Sequence, residues 1–71
     1  MKLRELLKTY NADRYYHLTV FKGKNALVSD LEIEANVFSF IDEEILNMEV
    51  FDWGDKYYFN KDYMKLTVRV E

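Results

Sequence analysis

The stretch Tyr63-Met64-Lys65-Leu66-Thr67-Val68-Arg69-Val70-Glu71 places an apolar side chain at every second position. This period of two is typical of a β-strand with one buried and one exposed face. The buried face carries only apolar residues, namely Met64, Leu66, Val68 and Val70. A sheet that contains this strand must bury that face, so another part of the chain has to cover it.

An amphipathic helix at the start of the chain is suited to that role. Between Met1 and Tyr10 the apolar residues recur at i, i+3, i+4 and i+7, which is one helical face: Leu3, Leu6, Leu7 and Tyr10. We predict a helix over Met1–Tyr10 that packs on the sheet. The residues Asn11-Ala12-Asp13 predict a turn after it, with Asn11 as the C-terminal cap.

A hairpin is predicted next. Arg14–Lys22 alternates again and is rich in aromatic and β-branched residues, with Tyr16, Leu18 and Val20 on one face. The turn residues Lys22-Gly23-Lys24-Asn25 then lead into a shorter strand over Ala26–Leu31.

The segment after the hairpin is acidic and predicts a short helix. Ser39 and Asp42 have the spacing of a capping box, and we expect one or two helical turns over Phe40–Asn47. Further elements then follow in order: a strand over Met48–Trp53, a turn at Gly54-Asp55, a strand over Lys56–Phe59 and a turn at Asn60-Lys61-Asp62.

Together these elements predict a single α+β domain over residues 1–71. Its N-terminal helix packs on one face of a small antiparallel sheet, in the order α-β-β-(short α)-β-β-β. A chain of 71 residues leaves no room for a second domain. The strand order is not fixed by the sequence.

The composition excludes several classes of protein. The chain has no cysteine, so disulfides and cysteine-ligated metal sites are impossible. No apolar run is long enough to span a bilayer, and the first seven residues do not resemble a signal peptide. We therefore expect a cytoplasmic protein that does not enter a membrane.

The acidic residues are concentrated in the middle of the chain. The window from Asn25 to Asp55 has no Lys or Arg and contributes a charge of −9, whereas the rest contributes +6. Its carboxylates are Asp30, Glu32, Glu34, Asp42, Glu43, Glu44, Glu49, Asp52 and Asp55. They form either a solvated connector or an acidic surface that attracts a basic partner.

Eight of the twelve aromatic residues lie in or close to that window. One small core cannot bury all of them. They are Phe38, Phe40, Phe51, Trp53, Tyr57, Tyr58, Phe59 and Tyr63. Either they form a second, minor core, or they provide a contact surface of the kind that Tyr and Trp favour.

No residue pattern indicates catalysis. His17 is the single histidine and has no orienting partner that the sequence identifies. Gly23 and Gly54 stand alone, so a glycine-rich phosphate loop is absent. We expect a protein without catalytic residues, metal or cofactor.

Three segments carry a resemblance to a known group: Met1-Lys2-Leu3-Arg4-Glu5-Leu6-Leu7, the run Ile41–Val50 and the strand Leu66–Val70. In this pattern the chain resembles short accessory proteins encoded by phages and prophages of Gram-positive bacteria. The resemblance implies the same helix, hairpin, acidic connector and closing strands. It also implies an interaction role, because some small phage proteins inhibit host complexes by contact.

These observations lead to one main functional hypothesis, a non-enzymatic interaction module or inhibitor that contacts a basic protein. Its predicted surface comprises Asp42, Glu43, Glu44, Glu49, Asp52 and Asp55 together with Phe51, Trp53, Tyr57 and Tyr58. One alternative is a self-associating structural protein, such as a homodimer. The other is weak nucleic-acid binding through basic residues of the N-terminal helix, although an acidic chain disfavours it.

Overall fold

A computed structural model describes residues 1–10, 16–34, 36–60 and 62–71. It confirms the α+β class. The elements are helix α1 (Leu3–Lys8), strands β1 (Tyr16–Lys22) and β2 (Asn25–Glu32), a 3₁₀ turn (Val37–Phe40), helix α2 (Glu43–Leu46), and strands β3 (Val50–Tyr58) and β4 (Tyr63–Val70). The turn predicted at 11–13 lies outside the described residues. No described helix is long and apolar enough to cross a membrane.

The four strands form one sheet in the order β2-β1-β4-β3. Each hairpin is antiparallel, but β1 and β4 lie side by side in parallel, with Leu18 opposite Leu66 and Val20 opposite Val68. The prediction of a purely antiparallel sheet is therefore wrong. Residues 33–49, which we call the connector, lead from β2 at one edge of the sheet to β3 at the other edge. The hairpin that follows then places β4 beside β1.

One hydrophobic core fills the space between the helices and the sheet. Leu3, Leu6 and Leu7 of α1 are buried, as predicted, on the face that β1 and β4 present. The connector adds four further buried residues, namely Ile33, Val37, Ile41 and Leu46. Burial of each large aliphatic side chain contributes about 1.5–3 kcal/mol, so the connector stabilises the core as well as linking the two hairpins.

The connector contains a helical segment, as predicted, but not the predicted cap. Asp42 itself is the N-cap of α2, and its backbone carbonyl accepts hydrogen bonds from the N–H groups of Ile45 and Leu46, both at 3.0 Å. The Ser39 hydroxyl instead donates to the carbonyl of Asn36 at 2.7 Å, inside the 3₁₀ turn. The predicted capping box between Ser39 and Asp42 is therefore wrong, because the 3₁₀ turn ends at Phe40, between these two residues.

The second hairpin also differs from the prediction. Gly54 and Asp55 form no turn, because β3 is one strand from Val50 to Tyr58 and the sheet has four strands instead of five. Gly54 pairs with Thr67 and Asp55 with Leu66 in unbroken register, and the only irregularity of this hairpin falls between Val50 and Asp52. The neighbouring β4 supplies the pairing that holds a glycine in an extended strand.

The two glycines provide a direct test of this assignment. Gly23 has a φ of +61° in the β1–β2 turn, whereas Gly54 is not in the left-handed region, and a Cβ added to Gly54 would meet nothing within 4 Å. We expect Gly23→Ala to lower the free energy of unfolding by about 1 kcal/mol. We expect Gly54→Ala to raise it by roughly 0.5 kcal/mol, since alanine loses less backbone entropy in a strand. Urea denaturation of both variants measures the difference, and an equal loss in both would contradict a continuous β3.

Candidate interaction surface

Strand β3 forms an unpaired edge of the sheet. It pairs with β4 on one side. On the other side the N–H of its first residue, Val50, donates to the Met1 carbonyl at 2.7 Å, and the eight residues after Val50 meet no strand of the described chain. Such an edge presents backbone N–H and C=O groups that another strand can bind. Of the nine residues from Val50 to Tyr58, which we call the β3 edge, only Val50 is buried.

The opposite edge of the sheet, β2, is less regular. Its pairing with β1 shifts register twice, between Leu18 and Val20 and between Val20 and Phe21, and Asp30 has a φ of +54°. Irregularities of this kind protect a sheet edge from pairing with another chain. From Asp52 to Tyr58 the β3 edge is free of them. The β3 edge is therefore the better template for an added strand.

Large aromatic side chains are exposed along the β3 edge and just beyond it. Their exposed fractions are 61% for Phe51, 45% for Trp53, 38% for Tyr57, 36% for Tyr58 and 86% for Phe59. Of the eight aromatics around the acidic window, only Phe38 packs against the described core. The alternative of a second, minor core is therefore wrong for these exposed aromatics.

Alternation along β3 divides the predicted surface between two faces of the sheet. Trp53, Asp55 and Tyr57 pair with Val68, Leu66 and Met64, so their side chains lie on the side that α1 covers. Asp52, Lys56 and Tyr58 pair with Arg69, Lys65 and Tyr63 on the other side, which we call the open face. The two sets of side chains therefore share no face, and only the backbone of β3 is common to them.

The acidic residues do not gather on one surface either. Asp42, Glu43 and Glu44 lie at the start of α2, whereas Asp52 and Asp55 lie on opposite faces of β3. Several of them meet a positive charge. The Arg4 guanidinium donates to the Glu43 carboxylate, and the α-amino group of Met1 donates to Glu49 at 3.0 Å.

Two consequences follow from these ion pairs. Asp52 also lies 3.8 Å from Arg69, so at least three of the six predicted acidic residues have a cation nearby. An acidic docking surface therefore has less free charge than the sequence indicates. The basic face of α1 is affected as well, since the Arg4 guanidinium is paired with the Glu43 carboxylate.

The open face contains basic residues that the sequence reasoning did not include. Lys56 and Lys65 are direct cross-strand partners, and each ammonium group lies 5.9 Å from the centre of the Tyr58 ring. A shallow depression of about 330 Å³ lies over Gly54, between these lysines and Arg69. Only the pairing of β3 with β4 brings these residues together, so no local sequence signal identifies them.

His17 belongs to a small polar cluster on the same face. Its ring stacks on Tyr63 with 3.8 Å between centroids, and its Nδ1 lies 3.5 Å from an Asp30 oxygen. The Tyr63 hydroxyl donates to the same carboxylate at 3.2 Å, and the Asp30 N–H donates to the Thr19 hydroxyl at 3.1 Å. These contacts hold the irregular part of β2 against β1 and β4.

On the helix-covered side, Asp55 contacts Tyr10. The rings of Tyr10 and Tyr16 meet edge to face, with 4.7 Å between their centroids, and the Tyr10 hydroxyl lies near the Asp55 carboxylate. Burial, followed by the negative charge of Asp55, raises the pKa of the Tyr10 hydroxyl. Asp55 therefore belongs to β3 and also interacts with Tyr10, which lies two residues after the end of α1.

Within the described ranges, no group of three or more His, Asp or Glu residues is arranged to hold a metal ion. No family model, curated protein or solved structure matches the chain.

The Tyr10–Asp55 contact predicts a measurable pH effect. A raised pKa means that the folded state holds the Tyr10 proton more tightly than the unfolded chain does. The resulting stability is present below the ordinary tyrosine pKa and is lost as the pH rises through the folded value. We expect Asp55→Asn to lower the pKa of Tyr10 and to make this alkaline loss smaller.

An NMR titration of the Tyr10 ring, with urea denaturation at several alkaline pH values, measures both effects. Asp52→Asn is the matched control, because it removes the same charge from the opposite face of β3. An equal shift of the Tyr10 pKa in both variants would show that the contact with Asp55 is not its cause.

Proposed function

We propose that this protein is a non-enzymatic interaction module that binds an extended segment of another protein along the β3 edge. The observation that carries the proposal is the long, regular and exposed edge from Asp52 to Tyr58. Addition of a strand to such an edge is a common mode of peptide recognition. The main-chain hydrogen bonds supply affinity, and the flanking side chains select the partner.

The aromatic residues supply contacts on both faces of the added strand. Trp53 and Tyr57 project on the helix-covered side, and Tyr58 projects on the open face. Aromatic side chains give a large contact area at a small entropic cost and dominate many protein interfaces. We therefore propose that the partner segment places apolar side chains beside these rings.

The charges of β3 itself favour a basic partner segment. The strand carries two carboxylates, Asp52 and Asp55, and one ammonium group, Lys56, so its own net charge is negative. Long-range attraction of a basic segment would orient it before contact. We also propose that the protein acts in the cytoplasm, in keeping with a small domain that lacks cysteine. A phage or prophage origin stays a prediction from the resemblance described above.

A capture experiment with four proteins tests this proposal. The wild-type chain is compared with Trp53→Lys/Tyr57→Lys, which adds two charges beside the β3 edge. The control Phe40→Lys changes an exposed aromatic residue outside β3, and Asp42→Lys/Glu43→Lys/Glu44→Lys reverses the acidic start of α2. Lysate proteins retained by each are identified, and the direct affinity of each purified candidate is then measured.

We expect a specific partner to be retained by the wild type and by Phe40→Lys, and to lose at least tenfold in affinity for the β3 double variant. The α2 variant should bind with an affinity close to that of the wild type. Loss of binding only in the α2 variant would contradict a site on the β3 edge and would favour an acidic docking surface. Circular dichroism of each variant confirms that it is folded.

A further inference from the structure

Gly54 lies at the middle of the β3 edge, where a glycine has no evident structural purpose. Neither a bulge nor a left-handed backbone explains it, because its register is regular and its φ is not in the left-handed region. A Cβ added there would meet nothing within 4 Å. Glycine inside a strand often marks a place where another backbone approaches closely.

We infer that the β3 edge also pairs with the β3 edge of a second copy of this chain, antiparallel and about a two-fold axis that passes through Gly54. The inference rests on the proposed function of this edge as the contact surface. An isologous contact of this kind needs a segment that complements itself. The charges of β3 meet that requirement in one register.

In the register centred on Gly54, Asp52 of each copy lies opposite Lys56 of the other. Both side chains project on the open face, so each pair brings opposite charges together on the same side. On the other face, Trp53 lies opposite Asp55, which sets an indole N–H donor beside a carboxylate acceptor. The two glycines meet at the axis, where the absence of side chains removes steric obstruction.

The neighbouring registers are less favourable. Two paired strands keep a common face only if the axis passes through a residue, so the alternatives are centred on Trp53, Asp55 or Lys56. A register centred on Asp55 or on Lys56 places two like charges at the axis, which is destabilising. In a register centred on Trp53, Asp52 lies opposite Gly54. Lys56 then has no carboxylate of the other β3 strand opposite it.

The side chains required for this pairing are available. Asp52 is exposed, and its contact with Arg69 is long at 3.8 Å. Lys56 forms no ion pair with any described carboxylate and lies opposite Lys65, which repels it. Pairing with Asp52 of the second copy would relieve that repulsion. The contact is one strand wide, so we expect an equilibrium between monomer and dimer that depends on concentration.

Sedimentation velocity of charge-reversed chains tests both the dimer and its register. In the Asp52→Lys chain two ammonium groups would face each other in each pair, and in the Lys56→Asp chain two carboxylates would do so. We expect each variant to dimerise roughly tenfold to thirtyfold more weakly than the wild type. An equimolar mixture of the two variants should dimerise again, because every pair in the mixed dimer is attractive.

The matched controls are Glu44→Lys on α2 and Lys24→Asp in the first hairpin turn, which change the net charge equally but lie outside β3. They should dimerise as the wild type does. A wild-type chain that stays monomeric at high concentration would overturn the inference, while the capture experiment would still decide the proposed function. Dimers that neither variant weakens, or that mixing does not restore, would overturn it too, because a different surface would then hold them.

Discussion

The parallel pairing of β1 with β4 is the interaction on which the rest of the structure depends. It sets Leu18 beside Leu66 and Val20 beside Val68 at the centre of the sheet, where all four side chains are fully buried. These residues form the floor on which α1 packs. The pairing joins segments that are almost fifty residues apart, so it fixes the positions of both hairpins together.

The position of β3 follows from that central pair. Because β1 and β4 occupy the middle, each hairpin contributes its other strand to an edge. The core needs only the first residue of β3, Val50, and leaves the following eight residues exposed. The same packing that stabilises the fold therefore also creates an exposed edge strand, which most proteins protect by irregular pairing or charge.

Much of the fold can be predicted from local pattern. The period of 3.6 over Leu3–Leu7 and the period of two over Met64–Val70 identify the helix and the final strand, and their apolar faces meet in the core as expected. Gly54-Asp55 misled the prediction because turn propensity is local, whereas the pairing of these residues with β4 is not. The strand order and the parallel pair depend on the path of the connector, which carries no periodic signal.

The candidate site was harder to predict for a related reason. Exposure of Phe51 and Trp53 could be inferred, because twelve aromatic residues exceed the capacity of one small core. The spatial arrangement of the carboxylates could not be inferred. Neighbouring residues on a strand alternate between the two faces, and cations from distant parts of the sequence pair with some of the carboxylates. Arg4 reaches Glu43 across thirty-nine positions of the chain. Charge segregation in a sequence therefore indicates a charged surface only where the fold keeps those residues on one side.

An exposed edge strand carries a risk of indiscriminate association, and the charges of β3 bear on that risk. A flat, uncharged edge pairs in many registers, whereas Asp52, Asp55 and Lys56 make most registers unfavourable. Gly54 lies between them and weakens the isolated strand, because it has no side chain to pack. The combination disfavours pairing in general and permits it where a partner strand complements the charges. Specificity of the edge therefore comes from a few charged residues, while the aromatic side chains on either face supply contact area.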